Sequence, residues 1–142
     1  MSDLESALLA AAAAENAAVY GYSLAGARLA DPHQLAVARA AYDVHRAQVQ
    51  TVTGWLAERS STPAPPAPVY DLPSPVNDPV TARAALAAIE ESTAAAYADV
   101  VAAAAGPLQR TAALALQSAA VREARWRTTS VPFPGLLGRI GS

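Results

Sequence analysis

Prolines at positions 63, 65, 66, 68, 73 and 75 divide this chain of 142 residues into two alanine-rich halves. A stretch so dense in proline has lost too many backbone N–H donors to be a helix, so it reads as a stiff, extended connector from about 60 to 78. Each half holds one further break, Ala30-Asp31-Pro32 in the first and Gly106-Pro107 in the second. About 38 alanines against a single Phe favour helix over strand. The expectation is an all-α chain of one domain, residues 1–142, with helices over about 3–29, 32–59, 79–105 and 107–127, a crossover over 60–78 and a tail over 128–142.

The helix starts carry their own chemistry. Ser2-x-x-Glu5 is the pattern of a capping box. Asp31-Pro32 and Asp78-Pro79 each put a capping carboxylate before a proline at the first helical position, where a missing N–H does no harm. The second stretch has the most regular apolar stripe, Leu35, Ala38, Tyr42, His45, Val49, Val52 and Leu56, with spacings of three and four. The breaks inside each half are short, so each half folds back as an antiparallel helical hairpin. A helix of about 27 residues is ~40 Å long, and a connector of about 18 extended residues reaches ~55 Å, enough to travel the whole length of a bundle. Hairpin, long crossover and hairpin make an up-down four-helix bundle.

Composition narrows the possible partners. Only 15% of residues are charged and the formal net charge is −2, which gives no field for holding a phosphate backbone, so nucleic acid is excluded. No apolar run approaches the ~20 residues of a membrane span, and the opening Met1-Ser2-Asp3-Leu4-Glu5 is acidic where a secretory signal is basic, so a cytoplasmic protein is expected. Without cysteine there is no disulfide, thiolate ligand or cysteine nucleophile. All ten basic residues are Arg, which reads as the codon usage of a GC-rich genome.

Against this apolar background, Glu15, His45 and Glu90 stand on the core-facing lines of three different helices. A buried charge is costly unless it is paired, neutralised or bound to metal, so three such groups call for one shared explanation. Glu91 would replace Glu90 only if its helix were rotated toward an all-alanine face. Arg122 of the fourth helix falls where it can bring a fixed positive charge to the two acids, while Tyr22, Tyr42 and Tyr97 lie near the same layer. His33 and Asp43 read as surface residues. An internal repeat agrees with the two-hairpin scheme: Glu15 laid on Glu90 brings Tyr22 onto Tyr97, and Val44-His45-Arg46-Ala47 laid on Val121-Arg122-Glu123-Ala124 brings Val49 onto Trp126.

Through Ala14-Glu15-Asn16-Ala17-Ala18-Val19-Tyr20-Gly21-Tyr22, Ala41-Tyr42-Asp43-Val44-His45-Arg46, Ala95-Ala96-Tyr97-Ala98-Asp99 and Val131-Pro132-Phe133-Pro134-Gly135, the chain resembles the alanine-rich ferritin-like domains of unknown function from high-GC bacteria. That resemblance implies a ferritin-like fold and brings no activity with it. The wider superfamily binds two irons with one Glu from each of two helices and a Glu-x-x-His pair from each of the others. Here Glu15 and Glu90 match the lone glutamates and His45 matches one histidine. Tyr42 stands where that pair's Glu would be, and Ala119 and Arg122 replace the second pair.

What the resemblance implies, set beside the residues, is a degenerate di-iron site: a buried polar cluster of Glu15, His45 and Glu90 with Arg122, Tyr22, Tyr42 and Tyr97, without catalytic residues or cofactor, in a structural or interaction protein. The alternative is an iron or manganese protein or oxidase using Glu15, His45 and Glu90 as metal ligands. A third class, a small-molecule binder, predicts a cavity beside Glu15. Alanine-rich faces suit a homodimer, and the sequence does not identify any other protein partner. The tail, with Phe133, Leu136, Leu137 and Ile140, is expected to cover the bundle's end or the second helix near Trp55. Its last six residues are loosely similar to the peptides that dock ferritin-like cargo into bacterial encapsulin shells.

Overall fold

The computed structural model describes residues 1–72 and 74–128, and all of its regular structure is helical: α1 (Asp3–Gly26), α2 (Pro32–Ala57), α3 (Pro79–Ala103) and α4 (Gly106–Thr128). The caps sit where the sequence puts them. The Ser2 hydroxyl accepts from the Glu5 N–H at 3.1 Å, and Asp31 accepts from the His33 N–H at 3.2 Å. Asp78 accepts from the Thr81 N–H at 2.8 Å while the Thr81 hydroxyl accepts from the Asp78 N–H at 3.0 Å, so α3 opens on a full capping box.

The helix ends differ slightly from expectation. α1 stops at Gly26, not 29, because the Arg28 and Leu29 amides bond back to Ala25 and Gly26 in a tight turn. That turn returns Leu29 to the core, where it is buried. α2 closes with paired bonds from Ser60 N–H to the Ala57 carbonyl and Ser61 N–H to the Leu56 carbonyl. This is the Schellman arrangement, and it holds Ser60 at φ 56°, a conformation that usually selects glycine.

Helix directions follow from which ends meet. Leu8, Ala11 and Ala12 of early α1 pack on Val52 and Leu56 of late α2, Tyr97 and Val100 of late α3, and Ala112 of early α4. At the other end Ala18, Tyr22 and Ala25 pack on Ala38 and Ala41, on Ala82, Leu86 and Ile89, and on Trp126. Hence α1 runs antiparallel to both α2 and α3, and α2 is parallel to α3, which forces the intervening segment to traverse the bundle. On its way it packs: Tyr70 rests on Tyr20 with ring centroids 5.7 Å apart, and Leu72 and Val76 join the core cluster around Tyr22. Gly21 permits this closure, since a Cβ there would collide with Ile89 and touch Leu72.

The close helix pairs are α1–α2, α1–α3 and α3–α4. α2 and α4 instead flank an open groove. Among the described residues no helix is long and apolar enough to cross a membrane. The expectations for the tail concern residues outside those described.

Candidate functional site: a buried acid–imidazole–guanidinium cluster

Glu15 lies between the two apolar clusters of α1, and the same layer holds His45 of α2 and Glu90 of α3, all three fully buried. The three residues singled out by their place on apolar stripes are thus brought together. Glu91, the alternative for α3, is exposed and pairs with Arg127 at 3.0 Å. His33 and Asp43 are exposed as expected.

The imidazole is the bridge. His45 Nδ1 lies 3.2 Å from both oxygens of Glu15, and Nε2 lies 3.1 Å from Glu90 Oε2. Burial alone would lower the pKa of His45, but hydrogen bonds and charge from Glu15 and Glu90 outweigh it and raise the value from 6.5 to about 9. At neutral pH the ring is therefore an imidazolium donating both N–H groups, one to each acid.

Three donors converge on a single oxygen of Glu90. Arg122 Nε and the Tyr22 hydroxyl each approach Oε2 at 2.6 Å, beside His45 Nε2. Burial opposes ionisation of Glu90, but the bonds and charges of His45 and then Arg122 prevail and hold its pKa below the ordinary carboxylate value. The Tyr22 oxygen also accepts from Trp126 Nε1 at 2.8 Å. Burial first, then the Glu90 carboxylate, push the Tyr22 phenol well above its usual value, so it remains a neutral donor. Among the described residues, Glu90 Oε1 and Arg122 Nη2 are buried without a hydrogen-bond partner.

Glu15 is held more lightly, by His45 and by Gln48 Nε2 at 2.9 Å from Oε2. Tyr97 is buried close enough that, after burial itself, the Glu15 charge helps raise its pKa, yet no hydrogen bond joins them. Counting both acids as ionised, the charges of Glu15, Glu90, His45 and Arg122 cancel. Such pairing is what a dry interior requires of ionised groups.

Tyr42 packs against the core cluster around Tyr22 but, as a correction, makes no bond to the buried acids. Three residues before His45, it is rotated off the inward line, is only half-buried, and lies on the groove shared by α1 and α2 with the Arg46 guanidinium 5.7 Å above its ring. Two members were missed by sequence reasoning, Gln48 and the Trp126 indole. Gln48 lies one turn beyond His45 on the half-buried flank, and this i, i+3 spacing is the signal that could have found it.

The acid oxygens lie on opposite edges of the imidazole, so the three side chains do not converge on one point. Among the described residues no group of three or more His, Asp and Glu is arranged to hold a metal ion.

The family model for a domain of unknown function, DUF4439, matches residues 7–137. The chain belongs to this family. Among solved structures the chain is similar to a conserved hypothetical protein, rv2844, from Mycobacterium tuberculosis, at 30% identity, with a TM-score of 0.84 over 89% of this chain and 96% of that one. No curated protein matches the sequence. Membership of DUF4439 fixes the kin of this bundle and carries no activity.

Proposed function

We propose that this DUF4439 chain is a ferritin-like bundle whose central site has exchanged metal for an internal ion-pair cluster, and that it serves as a non-catalytic structural or interaction protein. The observation that carries this reading is the Arg122 Nε–Glu90 contact of 2.6 Å. A fixed guanidinium charge there competes with any cation for the same carboxylate oxygen, and Arg cannot lose its proton to make room. The donor set does not fit two irons: Tyr42 and Ala119 stand at positions where the superfamily pattern has carboxylates, Arg122 replaces a histidine, and His45 has both ring nitrogens engaged. A cytoplasmic location and a homodimer belong to the same reading.

The test is metal analysis after exposure of purified protein to ferrous iron or manganese and removal of unbound ion. The reading predicts far less than one metal per chain, unchanged by Glu15→Ala or His45→Ala. Stoichiometric metal that both substitutions abolish would overturn it. That outcome would favour the second reading, an iron or manganese protein or oxidase using Glu15, His45 and Glu90, for which one observation speaks: Glu90 Oε1 is buried with no hydrogen-bond partner.

A further inference from the structure

The open side of the bundle has a chemistry of its own. Between α2 and α4 runs a groove of about 380 Å³, with walls built from Val37 and Val44 on one side and Val121 on the other. Val44 and Val121 keep 39% and 49% of their surface exposed, which gives the groove aliphatic walls open to solvent. The charged residues lining the groove are Arg122 and Arg125, with no acid among the lining. The chain as a whole is acidic, with a formal net charge of −2, so this local sign runs against the average.

Arg122 contributes beyond its charge. Its Nε is committed to Glu90, but among the described residues Nη2 is a buried donor with no acceptor, in a residue that forms part of the groove's lining. Arg125, one turn further along α4, is exposed. Ser118 adds a hydroxyl, and it also lines a second cavity of about 210 Å³ that extends along the same α2–α4 side past Gln48 and Tyr97. The charge of Arg122 is matched within the cluster by Glu90, so the unbalanced charge of the groove is that of Arg125. Among the described residues, Arg122 Nη2 and the Arg125 guanidinium have no acceptor and nothing covers the valines.

We propose that the α2–α4 groove binds a medium-chain carboxylate, its head on Arg122, Arg125 and Ser118 and its aliphatic chain along Val37, Val44 and Val121. The volume lies at the lower end of the range for small-molecule sites, which suits a single unbranched chain. Charge-assisted bonds to a planar guanidinium select the carboxylate head, while the aliphatic walls supply affinity in proportion to chain length. The groove shares Arg122 with the buried cluster, but Val37, Val44, Val121 and Arg125 take no part in it, so the titration and the metal analysis can fail independently.

Calorimetric titration of the full chain with octanoate and decanoate, below their micelle concentrations, tests this. Saturable one-to-one binding is expected, tightening roughly two- to fourfold per added methylene. Decanol should bind at least about tenfold more weakly than decanoate. Arg125→Gln should weaken decanoate about tenfold and leave decanol unchanged. Val121→Asp, at an exposed position, should abolish decanoate binding without changing the melting temperature. Equal affinity for acid and alcohol, indifference to Arg125→Gln, or no binding at millimolar decanoate would each overturn the proposal.

Discussion

The two buried glutamates occupy matching places in the two hairpins and live in different surroundings. Glu90 has an imidazolium, a guanidinium and a phenol crowded on one oxygen, whereas Glu15 has one edge of the imidazolium and a neutral amide. The source of the difference is α4, which supplies Arg122 and Trp126 to the Glu90 side through the close α3–α4 contact. α2, across the open groove, gives Glu15 only Gln48 in addition to the shared His45. One hairpin therefore anchors its acid with fixed charge, and the other depends on a group that can titrate.

That asymmetry is breakable. The largest effect is expected from Arg122→Ala, which strands Glu90 beside a single cation and should destabilise the fold by ~3–5 kcal/mol in chemical denaturation. If Arg122 contributes nothing, the melt will not move and the asymmetry fails. Next, Glu90→Gln should cost more than Glu15→Gln, since it removes the acceptor of two cations, and paired denaturation curves decide the order.

The pH profile sharpens the same contrast. His45 has a pKa raised from 6.5 to about 9, so its stabilising contribution is complete below pH 6.5 and is lost as pH climbs through about 9. Glu90 is shifted the other way, so its contribution is present above the ordinary carboxylate pKa of 4.5 and is lost as pH falls below that value. Stability should be greatest between these limits, and His45→Gln should flatten the alkaline limb in melts taken across pH 6 to 10.

Smaller changes separate the paired tyrosines. Tyr22→Phe removes a hydroxyl held by Glu90 and Trp126 and should cost about 2 kcal/mol, while Tyr97→Phe should stay within about 0.5 kcal/mol. Equal losses would mean that Tyr97 supports Glu15 as Tyr22 supports Glu90. Gln48→Ala is expected to cost least among the cluster's direct contacts, about 1 kcal/mol by denaturation, because its partner retains His45.

Much of this architecture was legible because it rests on local rules. Asp31-Pro32, Asp78-Pro79 and Gly106-Pro107 mark helix ends through backbone chemistry, and the proline run requires an extended connector whatever the rest of the chain does. Glu15, His45 and Glu90 stood out because a charge interrupts an otherwise apolar stripe. Tyr42 did not obey its stripe, since an aromatic ring can sit on the boundary of a core and keep its hydroxyl in water. The Trp126–Tyr22 bond joins residues 104 apart in sequence, and no periodicity within one helix encodes it. The early stop of α1 was hidden for a similar reason: Leu29 continues the apolar pattern but reaches the core from a turn.

Nitrogen-15 NMR of the His45 ring at pH 7.5, in a His33→Gln background that leaves one histidine, tests the central claim most directly. The account predicts that both ring nitrogens carry protons, that they titrate together near pH 9, and that added ferrous iron or manganese leaves the signals in place. A neutral ring with one bare nitrogen at pH 7.5, or signals lost on addition of one equivalent of metal, would contradict it.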